Sequence, residues 1–151
     1  MAAGNGAHRW KFFRYGGLDQ VSLETAEDLR SLEQLDPKLW AAMTCPTNNI
    51  EFDRTTLDYI DADKDRRIKI PELLAALKWV CSVVKNPEVL IRPAESMPLD
   101  VINQETAEGK ALYASARQIL NNLGKTQENS IGLGDLADTK KIFAATAFNG
   151  D

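Results

Sequence analysis

Histidine is almost absent from this chain of 151 residues: there is one, His8. A histidine metal cluster, a Ser-His-Asp triad and most histidine general-base schemes are largely excluded on that ground. Cysteine is scarce as well. Cys45 and Cys81 are too few for a disulfide framework. Their apolar surroundings predict two reduced core thiols, with a single bridge or a reactive thiol as the alternatives. Long apolar runs are missing: none approaches the roughly 18 residues of a membrane span. The first thirteen residues, MAAGNGAHRWKFF, lack the apolar stretch and cleavage site of a signal peptide. A basic surplus is also lacking. Eighteen Lys and Arg face 22 Asp and Glu, a net charge of −4, whereas nucleic-acid binders usually carry an excess of positive charge. The expectation is a cytoplasmic chain with no nucleic-acid partner, no membrane span and no enzymatic activity.

Hydrophobic residues make up 44% and charged residues 26%, ordinary values for a globular chain. Residues 1–7 are small and Gly-rich, and disorder is expected there. Residues 8–15 mix aromatic and basic side chains, and Gly16-Gly17 then suggests an extended segment or a hairpin whose aromatics cap the core. Two extra helices follow. One covers 25–34, with Thr25 and Asp28 as its start signal. The other begins at Asp36-Pro37, turns Leu39, Trp40 and Met43 to the core, and ends at Pro46. Further helices are expected over 52–60, 71–85, 104–123 and 135–148, with an irregular, Pro-containing connection over 86–103. The face of the 104–123 helix reads Leu112, Ala116, Ile119, Leu123.

Between the third and fourth of these helices lies a dense charge cluster, DADKDRRIKIPE, residues 61–72. Carboxylates stand at its positions one, three and five (Asp61, Asp63, Asp65), an apolar Ile68 at eight, and Glu72 at twelve. Ile60 and Leu57 precede it, and Leu73, Ala76, Leu77 and Val80 follow at helical spacing. This pattern resembles the EF-hand, the helix–loop–helix Ca²⁺ site. A hard cation takes six to eight oxygens at about 2.3–2.6 Å, and alternate residues of a curled loop can aim at one point. The resemblance implies a Ca²⁺ site in which Asp61, Asp63, Asp65 and Glu72 ligate through side chains and Arg67 through its backbone carbonyl. The sequence departs from the pattern in two places. Arg66 stands where a glycine normally takes a positive φ, at a cost of about 1 kcal/mol. Lys69 stands at position nine, where it cannot ligate. Affinity is therefore expected at roughly 10⁻⁵ to 10⁻³ M.

A second loop is expected at 124–135, because residues 130–136, SIGLGDL, align with residues 67–73, RIKIPEL. Its position one is Gly124 and its position three Thr126; only Glu128 and Asp135 remain as acids, too few for an all-protein Ca²⁺ cage. Residues 49–53, NIEFD, are a weaker echo, either a remnant or a chance match. The whole chain resembles the N-terminal part of larger bacterial EF-hand proteins, and the ending Phe148-Asn149-Gly150-Asp151 looks like the start of another cation loop.

The expected fold is mostly α: a paired helix–loop–helix over 48–148, joined by a short two-residue β-bridge between Ile68 and Ile131, with the strap and helices of 8–47 packed on it. Residues 149–151 begin a further segment. The expected function is calcium binding with a structural or modulatory role. A protein, or the missing C-terminal part of a longer chain, is a further possible partner. The alternative is a metal-free interaction module of the same architecture that binds a protein through the aromatic N-terminal segment.

Overall fold

Gly16 and Gly17 have φ of +60° and +81°, the left-handed backbone that a two-residue turn between right-twisted strands requires. They join β1 (Lys11–Tyr15) to β2 (Leu18–Ser22) in an antiparallel hairpin, with Phe12 opposite Val21 and Tyr15 opposite Leu18. The computed structural model describes residues 7–40, 44–137 and 142. Within it the chain divides into two compact units, residues 1–80 and 81–151. The hairpin belongs to the first. Its aromatics do not cap a core: Phe12 is 52% and Tyr15 72% exposed.

The hairpin leads into α1 (Ala26–Ser31), which is closed by a capping box. Asp28 is its hub. Its Oδ2 accepts from the backbone N of Glu24 (2.9 Å) and Thr25 (2.8 Å) and from the Thr25 hydroxyl (2.8 Å). Its Oδ1 lies 2.7 Å from His8 Nε2. His8 is thus anchored, with its ring edge-on to Trp10 at 4.4 Å. Burial opposes the Asp28 charge, but the donors from Glu24, Thr25 and His8 outweigh it and hold its pKa at about 2. That is below the unfolded value, so the stabilisation is fully present above about pH 4 and is lost as pH falls towards 2. Chemical denaturation is expected to show a loss on the order of 1–2 kcal/mol across that window. The Asp28→Asn chain should lack that loss; an unchanged pH dependence would show that other carboxylates carry it.

The rest of the first unit is built around a strand pair. A single turn at Pro37–Leu39, capped by Asp36, replaces the expected second helix. Residues 41–43, including Met43, lie outside the described residues. Then come β3 (Thr44–Pro46), α2 (Arg54–Ile60) with Asp53 as its N-cap, β4 (Arg67–Lys69) and α3 (Ile70–Val83). β3 pairs antiparallel with β4, Cys45 opposite Ile68. The second unit repeats this order. β5 (Ser96–Pro98), α4 (Ala107–Asn122), β6 (Ser130–Gly132) and α5 (Leu133–Ala137) follow one another, and Met97 stands opposite Ile131. Thr106 caps α4 and Gly109 follows in its first turn; a Cβ there would collide with the carbonyl oxygen of Asn103. Leu99, Ile102, Ala116 and Leu120 form the core of this unit, with Met97, Leu112, Tyr113 and Ile131 packed against it.

Three expectations are corrected. The chain is mixed α and β rather than mostly α with one bridge: five helices and three two-stranded antiparallel sheets are present among the described residues. Ile68 and Ile131 do not pair with each other. Each finds its partner in its own unit, Cys45 and Met97 respectively, so the loop-to-loop bridge does not form. The thiols are free, but Cys45 is exposed and Cys81 half-buried, so neither is a core thiol. On the β3–β4 pair it is Ile68 that is buried, whereas Cys45 opposite it is exposed. No helix among the described residues is long and apolar enough to cross a membrane. The motif expected at 148–151 falls outside the described residues.

Candidate metal centre

Asp61 is where α2 ends: its backbone N donates to Leu57 O at 2.9 Å, and its side chain turns into the loop. It is 2% exposed. Its Oδ2 accepts from the Arg66 backbone N at 2.9 Å, whereas its Oδ1 is buried and meets no hydrogen-bond donor. Each of the next two acids closes a tight turn on itself. Asp63 Oδ1 accepts from Asp65 N at 3.2 Å, and Asp65 Oδ1 from Arg67 N at 2.9 Å. Lys64 and Arg66 take the left-handed conformation, φ +60° and +70°. Lys64 is further tied by its ammonium to the Asp58 carbonyl. The result is a curl in which ligand atoms of Asp61, Asp63 and Asp65 lie within 4.8 Å of one another. Glu72 spans the loop from its far end. Its Oε1 accepts from Ala62 N (2.8 Å) and its Oε2 from Lys69 N (2.8 Å). The Lys69 ammonium contacts Asp63 Oδ2 (2.5 Å) and Asp65 Oδ2 (2.6 Å). It holds the Asp63 carboxyl below its usual range, and its own pKa is raised in turn.

The backbone behind the loop is fixed by the strand pair. Thr47 N donates to Arg66 O at 3.1 Å, directly beside β3 and β4. Residues 124–135 reproduce this frame. Leu99 N donates to Asn129 O at 2.9 Å, and Gly132 N to Asp135 Oδ2 at 2.9 Å. These correspond, position for position, to the Thr47–Arg66 and Lys69–Glu72 bonds. Gly124 has φ +77° and ends α4, with Lys125 N reaching back to Leu120 O at 2.8 Å. The carboxylates of this loop meet Lys125, 2.8 Å from Asp135 and 3.3 Å from Glu128. That contact lowers the Asp135 pKa. Arg117 pins the loop from α4 through Glu128 O (2.6 Å) and Asn129 Oδ1 (2.7 Å).

No family model, curated protein or solved structure matches this chain. The assignment of chemistry therefore rests on the loops themselves. Of the five residues read from the sequence as metal ligands, Asp61, Asp63 and Asp65 are brought together. Glu72 closes the loop through the backbone of Ala62 and Lys69. Arg67 lies on β4, opposite Pro46. The sequence placed Lys69 at position nine of its loop but did not show its ion pairs, and Lys125 and the strands that brace the loops were missed. A signal for the strands exists: Thr44-Cys45-Pro46 and Ser96-Met97-Pro98 are the same hydroxyl–sulfur–proline triplet, each paired with a loop strand.

Arg66 takes φ +70° with a Cβ, which strains the loop. Arg66→Gly is therefore expected to raise the melting temperature of the metal-free protein. Relief of about 1 kcal/mol of strain is partly offset by the freedom glycine gains in the unfolded chain. A lower melting temperature would show that the arginine side chain makes a contact worth more than the strain.

Proposed function

We propose that residues 61–72 form a Ca²⁺ site, and that the chain is a calcium-binding domain in which the ion has a structural or modulatory role. The observation that carries the reading is Asp61 Oδ1. A buried carboxylate oxygen without a donor costs on the order of 1–3 kcal/mol, and the carboxylate that carries this one clusters with those of Asp63 and Asp65. A cation at their meeting point would supply the missing partner. Asp61, Asp63 and Asp65 would hold it through side chains, with Glu72 and the Arg67 carbonyl completing an all-oxygen set. Such a set suits Ca²⁺, which accepts variable geometry, better than Mg²⁺, which demands a strict octahedron and keeps its water. Residues 124–135 take the structural part, since Lys125 already meets their two acids.

The metal-free interaction module is the second reading, and the Lys69 contacts are what favour it: an ammonium already neutralises two of the acids. Titration calorimetry with Ca²⁺ separates the two. Binding with a Kd of roughly 10⁻⁵ to 10⁻³ M is expected. No heat and no thermal shift at millimolar Ca²⁺ would leave the interaction module as the better reading.

A further inference from the structure

We propose that Lys69 is a tethered competitor for the cation: its ammonium holds Asp63 and Asp65 in the metal-free loop, and Ca²⁺ binds by displacing it. This rests on the reading of residues 61–72 as a cation site. Lys69 Nζ contacts one oxygen of each acid, at 2.5 and 2.6 Å, while the second oxygen of each is used in its own turn. The root of the side chain is fixed, because Lys69 N is bonded to Glu72 Oε2 at 2.8 Å. Displacement therefore needs only the flexible stem to swing out, with the loop backbone left in place. The side chain is already 39% exposed, so it leaves towards solvent.

The ammonium does not complete the site. Asp61 Oδ1 keeps no donor, although Asp61 is 2% exposed and its ligand atom lies within 4.8 Å of those of the two acids that Lys69 holds. One positive charge thus serves two carboxylates and leaves the buried Asp61 Oδ1 without a partner. A divalent ion at the junction serves all three, which makes exchange favourable. The second loop shows the other outcome. There Lys125 reaches both acids from position two, and Asp135 has donors on both oxygens, Lys125 and Gly132 N. Among the described residues no buried side-chain oxygen of that loop lacks a partner. The two loops thus each carry an internal ammonium, exchangeable in the first and permanent in the second.

The test compares Ca²⁺ titrations of the wild-type chain, Lys69→Gln, Lys69→Arg and Lys78→Gln. Lys78 is an exposed lysine on α3 outside the loop, and its loss changes the net charge equally. Lys69→Gln is expected to tighten Ca²⁺ binding roughly tenfold, and Lys69→Arg and Lys78→Gln to stay within about threefold of wild type, the range of exposed charge effects. A lysine side-chain ¹⁵N spectrum supplies a second readout. One ammonium signal, absent from Lys69→Gln, should move to the position of the solvated lysines as Ca²⁺ saturates. Wild type that binds together with a Lys69→Gln chain that binds no more tightly would overturn the competition and leave the site standing. No binding by either chain would overturn the cation site and the competition with it. A silent wild type beside a binding Lys69→Gln would be the strongest support, with Lys69 holding the loop closed to metal.

Discussion

Asp61→Ala is expected to abolish the Ca²⁺ response, weakening binding about a hundredfold or more, whereas Asp135→Asn should leave it within about twofold. The difference follows from burial and partners. Asp61 is the one acid of its loop that is fully enclosed, and its Oδ1 is the oxygen with no donor in the protein. Removing it removes the buried carboxylate and its unpartnered oxygen. Asp135 belongs to the other loop, where Lys125 and Gly132 N already saturate it. Asp61 also has a structural duty, since its Oδ2 holds the Arg66 N at the left-handed turn. Asp61→Asn separates the two roles: its amide oxygen can still accept from Arg66, but the charge is gone. Asp61→Asn and Glu72→Gln should therefore lose Ca²⁺ while melting closer to wild type than Asp61→Ala. Equal losses of Ca²⁺ binding from Asp135→Asn and Asp61→Asn would show that the loops are ranked the wrong way round.

The convergence of Asp61, Asp63 and Asp65 was legible because its information is local. Their alternate spacing within five residues limits which side chains can meet, and no distant partner is needed to read it. Caps were legible for the same reason: the Thr25–Asp28 pair is a contact three residues apart. What failed was non-local. β3 and β5 are three residues long and contain a proline each, so neither shows the alternation that marks a strand. They are strands only because β4 and β6 offer them an edge. Pairing Ile68 with Ile131 assumed that two loops face one another, yet each loop strand is satisfied within its own unit. The anchoring of His8 is non-local as well. Its partner, Asp28, lies twenty residues away, and nothing in the sequence near His8 announces it. Lys69 and Lys125 were visible as charges, but which carboxylates they meet depends on how each loop curls.

Leu120→Ala should destabilise the second unit by about 3 kcal/mol, within the 2–5 kcal/mol typical of buried Leu→Ala changes, and Ile119→Ala by about 1 kcal/mol. The two residues are neighbours of equal size, and the sequence pattern favoured the wrong one. Spacings of four, three and four place Leu112, Ala116, Ile119 and Leu123 on one helical face. In the structure the buried positions of α4 are Gly109, Ala116 and Leu120, with Leu112 and Tyr113 beside them. The face is rotated because two contacts set it. Gly109 must come close to the Asn103 carbonyl, which leaves no room for a side chain. At the other end, Leu120 is 0% exposed in the cluster with Leu99 and Ile102, against which Met97 and Ile131 pack from the strand pair. Ile119 is only half-buried. Truncating Leu120 therefore opens a cavity beneath β5 and β6, where the surroundings are held by backbone pairing and cannot collapse to fill it. Urea unfolding of the two variants decides between the faces. A larger loss for Ile119→Ala than for Leu120→Ala would restore the face read from the periodicity and would mean that α4 is rotated from the orientation described.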